Sequence, residues 1–469
     1  MSEFLHYVLW ELKNSFALVL LAGIAAAGIL GAAYFVHKRK YRGVRKFPWG
    51  KSLLWLIFLG YLAVVFYVTN FRASFGRRAV NLHLFRGWLE AWNNFSQQRW
   101  LNVLLNIAMF GPFGFLLPLL GKKARKWYVT IPAGFLASLS IEVLQYIYAR
   151  GVFDVDDLLC NVLGAAMGYF AVLTILSCRN EKGKRLKPAV AYGILTMIPA
   201  MAIAGIFLGY EWKEYGNLPC APAYRNDTKG VSWTLECDFP EVGNTLPVYR
   251  TQSRTIGDCD AFAEEFRQII GTQYNTISYY QQEAYYMDNG FGDGAHFLQV
   301  RYMDPGFSYS AHLDDDCPWA DADRQTIAKA LEKFPLAVPE AAEFVREGDG
   351  WHSFTLNRHQ DGAILYDGTL RVRYAQDGSI REIESGLHAY THYSSEAVIT
   401  PEEAHELLRA GQFWDGGFFE DEAPKSVRVV SCEIAYEIDT KGFYQPVYQF
   451  CLVSGDGSYE DRILIPARR

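Results

Sequence analysis

The chain has 469 residues, half of them hydrophobic, and its net charge of −6 is the sum of two unlike halves. Residues 1–214 carry 24 Lys and Arg against 10 Asp and Glu, whereas residues 215–469 carry 21 against 41. A basic half with long apolar runs is typical of a membrane protein that faces anionic lipid. This pattern, without any RNA- or DNA-binding motif, argues against a nucleic-acid partner.

Six apolar runs are each long enough to cross about 30 Å of hydrocarbon. Basic loops follow the first, third and fifth runs, and the positive-inside rule assigns such loops to the cytoplasm. The N-terminus and residues 211–469 are then predicted to be extracytoplasmic, although the outer loop 71–99 carries five arginines that argue against this orientation. The runs are residues 15–36, 52–70, 100–120, 127–148, 157–177 and 188–210.

Polar side chains recur at helical spacing inside the third, fourth and fifth runs. A charge near the bilayer centre costs about 2.5–3.5 kcal/mol, so such residues rarely lack a partner or a function. Individually, Asp156 or Asp157 is compatible with a helix cap, Glu142 with a neutral packing role, and Arg150 with a side chain that reaches the headgroups. Together they predict one outward-opening polar pocket formed by Asn106, Glu142, Gln145, Arg150, Asp154, Asp157 and Asn161.

Proline and glycine in the same runs predict how the helices pack. Pro112 removes a backbone hydrogen bond and favours a kink in the third run. Gly164 and Gly168 form a G-x-x-x-G pattern, which lets a second backbone approach closely, and Gly114 adds a small residue on the third run.

These residues carry a resemblance to a known family. The pattern Asn106, Phe110, Pro112 and Gly114, followed by the spaced series from Glu142 to Gly168, resembles the VanZ-like family of membrane proteins. Residues 81–85 resemble that family's N-L-x-P-F segment, with Leu84 at the proline position. The resemblance covers about residues 50–178 and implies a link to low-level resistance to the glycopeptide teicoplanin, without supplying a molecular mechanism.

The sequence thus predicts four regions. They are an N-terminal transmembrane helix and basic loop (1–48), a VanZ-like membrane domain (49–178), a basic loop with the last transmembrane helix (179–214) and an extracytoplasmic α+β domain (215–469). The expected fold class is an all-α bundle of about six transmembrane helices followed by an antiparallel sheet with helices packed on it.

The second half alternates amphipathic helices, at 259–270, 323–334 and 401–410, with strands of period two. The stretch Ile399–Ala404 and the hairpin that holds Tyr436, Gly442 and Pro446 resemble extracytoplasmic PepSY-like or YycI-like domains. That resemblance implies a cystatin-like sheet and a peptide or protein partner.

Cysteine positions predict one disulfide. Cys432 and Cys451 lie almost symmetrically about the turn near Asp439–Gly442, so paired strands could bring them to bonding distance. Pro446 introduces the alternative of a bulge that breaks this register. We predict no metal site and no cofactor, because the histidines are scattered and no Cys-x-x-Cys spacing occurs.

Three functions are compatible with the sequence. The first is a VanZ-like protein that reduces glycopeptide susceptibility by binding a membrane lipid or a lipid-linked wall precursor, with Arg150 contacting phosphate. The second is a membrane enzyme acting on a lipid-linked envelope substrate, with Glu142 or Asp157 as general base. The third is a transporter, for which no inverted repeat is evident. The sequence does not identify the ligand, the reaction or the oligomeric state.

Overall fold

A computed structural model describes residues 16–41, 46–71, 78–179, 186–280, 283–288, 295–312, 317–415, 419, 424–457 and 459–469. The chain divides into two compact units. The first unit contains the residues up to Leu84 and Asn102–Gly209, and the second contains Phe85–Leu101 and Tyr210–Arg469. The segment 85–101, which interrupts the predicted membrane domain, therefore belongs to the second unit.

The first 212 residues are mainly helical. In chain order the elements are α1 (Phe16–Lys40), α2 (Trp49–Phe71), β1 (Ala79–Asn81), α3 (Arg86–Asn94), α4 (Gln97–Leu120), α5 (Trp127–Ile147), β2 (Val152–Asp154), α6 (Val155–Cys178) and α7 (Leu186–Trp212).

Five of the described helices, α2 and α4 to α7, are long and apolar enough to cross a membrane. The protein is therefore a membrane protein, as the apolar runs predict. The run 15–36 lies in α1, whose side chains the structure describes only from residue 28 onward. A total of six spans remains a prediction.

Close backbone contact holds α4 against α6. A Cβ atom on Gly114 would overlap the carbonyl of Ala165, and one on Gly164 would overlap the carbonyl of Ile107. Gly168 approaches Gly111 in the same way. Only residues without a side chain permit this separation, so the glycines set the distance at which the polar residues of the two helices meet.

In the part of the second unit that the structure describes, 14 strands form one sheet. Its helices are α8 (Ile256–Ile270), α9 (Arg324–Leu331) and α10 (Pro401–Arg409). The strands are β3 (Ser232–Leu235), β4 (Thr245–Arg250), β5 (Thr276–Tyr280), β6 (Glu283–Met287), β7 (Ala295–Arg301), β8 (Phe307–His312), β9 (Glu343–Gly348), β10 (Trp351–Asp361), β11 (Ile364–Tyr374), β12 (Ile380–Ser385), β13 (His388–Ala397), β14 (Ser426–Ile438), β15 (Phe443–Ser454) and β16 (Glu460–Pro466).

The strand order is β3-β14-β15-β4-β13-β11-β12-β8-β7-β6-β5, with β10 and β9 joined at β11 and β16 joined at β15. Neighbouring strands are antiparallel except for β3 and β14. Two separate hydrophobic cores lie between this sheet and the helices packed on it. Phe266 of α8 and Ile327 of α9 are buried in one, and Leu408 of α10 and Phe450 of β15 in the other. The predicted α+β sheet domain is present, and it has two helix-covered parts.

The predicted disulfide between Cys432 and Cys451 is wrong. A bulge between Val429 and Ser431 shifts the register, so Cys432 lies opposite Phe450 and Cys451 lies opposite Ser431. Successive residues of a strand point to opposite faces, which places the two thiols on different sides of the sheet. Both are free cysteines, and burial raises the pKa of the Cys432 thiol to about 12.

The turn between β14 and β15 binds the chain segment that begins at Tyr210. Asp439 is buried and accepts hydrogen bonds from the backbone N–H groups of Gly216 and Phe443, at 2.7 and 2.9 Å. The Lys441 ammonium donates to the carbonyl of Tyr210 at 2.9 Å. A cation at this position is favourable, because the C-terminal end of α7 carries a partial negative charge.

Candidate functional site

Two short strands bring Asn81 and the predicted site residue Asp154 together. β1 and β2 pair in parallel, so that Asn81 lies beside Asp154. The Asn81 side-chain amide donates to Asp154 Oδ2 at 3.0 Å, and Asn81 Oδ1 accepts from the backbone N–H of His83 at 3.1 Å. Both ends of the Asn81 side chain are thus fixed, and the residue is 9% exposed.

Asp154 connects the bend to both helices of the hairpin. It is the N-cap of α6, because its Oδ1 accepts from the backbone N–H of Asp156 at 2.8 Å. Its own backbone N–H donates to Glu142 Oε2 on α5 at 3.1 Å. The cap proposed above for Asp156 or Asp157 is therefore supplied by Asp154, which leaves the Asp157 side chain available for other contacts.

Deeper in the hairpin, polar residues of three helices are in contact. The Asn106 amide of α4 donates to Asp157 Oδ1 of α6. One turn further along α6, the Asn161 amide donates to Ser138 Oγ of α5 at 2.9 Å. Ser138, Glu142 and Asn161 are all 2% exposed or less. The predicted residues Asn106, Glu142, Asp154, Asp157 and Asn161 therefore form one cluster, which we call the hairpin cluster together with Asn81 and Ser138.

Two other predicted pocket residues have different contacts. The Gln145 amide donates to the carbonyl of Thr69, near the end of α2, at 3.0 Å. The backbone N–H of Arg150 donates to the carbonyl of Gln145 at 2.9 Å and closes the end of α5. The Arg150 side chain is half-buried on the bend that leads into β2.

The described arginines of the loop 71–99 contact residues outside the hairpin cluster. Arg78 donates to the carbonyl of Ile147 at 3.2 Å, at the C-terminal end of α5, where a cation is favourable. Arg86 and Arg99 both pair with Glu90 in the second unit. Arg72 and Arg77 lie outside the described residues.

The electrostatic character of the hairpin cluster is acidic. Glu142, Asp154 and Asp157 accept hydrogen bonds only from neutral amide groups among the described residues. The Asn161 carbonyl oxygen is buried and has no hydrogen-bond partner in the described part of the chain. Within the same residues, no three His, Cys, Asp or Glu side chains are grouped closely enough to hold a metal ion.

Sequence reasoning did not assign Asn81 and Ser138 to the pocket. Asn81 is the first residue of the N-L-x-P-F-like segment, so the motif contained the signal, but a three-residue strand has no periodicity that would predict its pairing with β2. Ser138 lies four residues before Glu142, on the same face of α5, which was the available signal for it.

Sequence comparison shows which known proteins resemble the segment that contains the hairpin cluster. Residues 53–176 match the VanZ/LLP1 family model, and this segment contains every residue of the hairpin cluster. Protein VanZ of Enterococcus faecium is 27% identical over 148 residues, which are 31% of this chain and 82% of that protein.

Comparison with solved structures gives a more distant similarity. The C-terminal domain of Bacillus megaterium YpeB is 12% identical, and the alignment covers 46% of this chain and 94% of that structure. Its TM-score is 0.18, which supports no conclusion about fold or function. The resemblance expected from the sequence is confirmed for the membrane half: residues 53–176 are a VanZ-like domain within a longer chain.

Proposed function

We propose that this protein reduces susceptibility to teicoplanin-type glycopeptides by binding the headgroup of a membrane lipid or a lipid-linked wall precursor. The observation that carries the proposal is the position of the hairpin cluster inside the VanZ-like segment. Five residues of this cluster lie on apolar helices, where each polar group is costly unless it has a function or a partner.

The outer end of the α5–α6 hairpin supplies the binding groups. Arg150 lies on the bend, and a guanidinium binds phosphate through two parallel hydrogen bonds. Asp154 and Glu142 lie next to this bend and are fixed by the backbone and by Asn81. A headgroup that enters from the bend would contact Arg150 first and the carboxylates beneath it.

The proposal includes an orientation. The bend 149–154 and residues 211–469 lie on the extracytoplasmic side, as the basic loops predict. A membrane-impermeant thiol reagent applied to intact cells tests this in a chain that carries a cysteine after Arg469 and in which the exposed Cys178 is replaced by serine. Labelling of intact cells agrees with the orientation, whereas labelling only after lysis contradicts it.

Susceptibility measurements test the function. The full chain is expressed in a teicoplanin-susceptible host beside Arg150→Ala and the control Arg39→Ala, which changes an exposed arginine at the end of α1. At equal membrane levels, we expect the wild type and the control to raise the inhibitory concentration of teicoplanin, and Arg150→Ala to lose that increase. An unchanged inhibitory concentration with the wild type contradicts the proposed function.

A further inference from the structure

Among the residues that the structure describes, the carboxylates of the hairpin cluster have no cationic partner. Glu142 accepts one hydrogen bond from the backbone of Asp154, and Asp157 accepts one from Asn106. Within the described residues, no Lys or Arg forms an ion pair with Glu142, Asp154 or Asp157. An ionised carboxylate accepts about four hydrogen bonds and is costly to bury without a counter-charge.

A second observation points to the same requirement. Asn161 is 1% exposed, and its amide group is fixed by Ser138. Its carbonyl oxygen, one turn from Asp157, is buried without a partner among the described residues. A buried acceptor without a donor is energetically unfavourable, so a ligand that donates a hydrogen bond to this oxygen would remove the cost of burying it.

The ligand that these acceptors fit is an organic cation with N–H donors. A metal ion needs ligands that converge on one point, and the described carboxylates are not grouped in that way. A primary ammonium has three rotatable donors and tolerates wider spacing. A quaternary ammonium has a positive charge but no N–H group to donate.

We propose that the hairpin cluster binds a primary ammonium group carried by a lipid headgroup or by the stem peptide of a lipid-linked wall precursor. This inference rests on the proposed headgroup binding and names the chemical class of its ligand. Glu142 and Asp157 accept hydrogen bonds from the ammonium, Asn161 accepts the innermost one, and the phosphate of the same molecule remains at the bend.

Lipid retention by the full chain tests the inference. Detergent-purified protein is incubated with equal amounts of phosphatidylethanolamine, phosphatidylcholine and phosphatidylglycerol, and the bound lipid is measured by native mass spectrometry. A second arm uses a lipid-linked wall precursor with a free lysine amine and its N-acetylated form. We expect a preference of about tenfold or more for the primary-amine member in at least one arm, since only that member can donate charge-assisted N–H hydrogen bonds to the carboxylates. The arm that shows it identifies the source of the ammonium.

Variants test which residues cause the preference for the primary amine. Glu142→Gln and Asp157→Asn are expected to abolish it, while Glu211→Gln, the same change at an exposed glutamate, is expected to retain it. Competition by free ethanolamine on the wild type provides a result that does not depend on how the variants fold. Equal retention of all lipids, with loss in Arg150→Ala, overturns the ammonium site but supports headgroup binding. No retention of any lipid or precursor contradicts both.

Discussion

Asp154 is the residue on which the candidate site depends most. It caps α6, accepts from Asn81 and donates its backbone N–H to Glu142, so one residue connects β1, α5 and α6. The sequence predicted that Asn106, Glu142, Asp154, Asp157 and Asn161 would lie together because helical spacing places them on facing stripes. It did not predict the contacts of Gln145, because the end of α2 is distant in sequence.

Removal of the Asn81 amide tests the connection to β1. Asn81→Leu leaves Asp154 Oδ2 without its side-chain donor, and we expect a loss of about 1–3 kcal/mol in stability. Thermal unfolding of the protein in detergent measures this. The neighbouring Leu82→Ala serves as a control, because Leu82 is 70% exposed. Equal unfolding temperatures for Asn81→Leu and Leu82→Ala would contradict the assigned role.

The second unit contains a buried histidine that predicts a pH dependence. The pKa of His388 is lowered from 6.5 to about 4, mainly by burial; Asp304 opposes this shift, and Arg301 and Arg254 add to it. Between these two values the unfolded state binds a proton that the folded state does not, so stability falls as the pH falls from about 6.5 to 4. The contribution is at most about 3 kcal/mol.

Unfolding temperatures measured across this pH range test whether His388 causes the loss of stability. His388→Gln is expected to flatten the profile, whereas His359→Gln, at an exposed position, is expected to keep the wild-type slope. A His388→Gln profile parallel to that of the wild type would show that another group causes the loss.

At the scale of elements, the long helices were predictable and the short strands were not. An apolar run of 20 residues determines a helix in a membrane, since every backbone group must be satisfied within the segment. The three-residue strands β1 and β2 have no such signal, and their pairing depends on tertiary contacts. The helix α10 was predicted almost to the residue, because Thr400 and Glu403 form a capping box with Pro401.

The α4–α6 contact yields a prediction with a control in the same helix. Gly114→Ala places a methyl group on the carbonyl of Ala165, and overpacking of this kind costs about 1–3 kcal/mol. Gly111→Ala adds the same methyl group at a position where no atom lies within 4 Å apart from its chain neighbours and the backbone of its own helix. We expect Gly114→Ala to unfold at a lower temperature in detergent than Gly111→Ala. Similar temperatures would mean that the helices separate easily.

At the scale of the whole molecule, the chain joins a VanZ-like segment to a large sheet domain that lies outside the residues matched to the family. The match of 148 residues covers 82% of VanZ, so that relative is far shorter than this chain. The charge difference between the halves predicted two regions. It did not predict that α3 belongs to the second unit, where the Asn93 amide donates to the carbonyl of Ala221 at 2.8 Å.

A shortened chain that keeps these contacts of α3 tests whether the sheet domain is needed for the effect on teicoplanin susceptibility. A chain that ends at residue 224 keeps Ala221 and also Asn217, whose amide donates to the carbonyl of Trp92 at 2.6 Å. We expect this chain to raise the inhibitory concentration of teicoplanin as much as the full chain does. Loss of the effect at equal membrane abundance would show that the sheet domain is required.

We propose that the hairpin cluster of the VanZ-like segment causes the reduction in susceptibility to glycopeptides. The most direct measurement is the inhibitory concentration of teicoplanin in cells that express the wild type, Glu142→Gln or Glu211→Gln at equal membrane levels. We predict that Glu142→Gln behaves like the empty vector and that Glu211→Gln behaves like the wild type. Full resistance with Glu142→Gln, or its loss with Glu211→Gln, would contradict the claim.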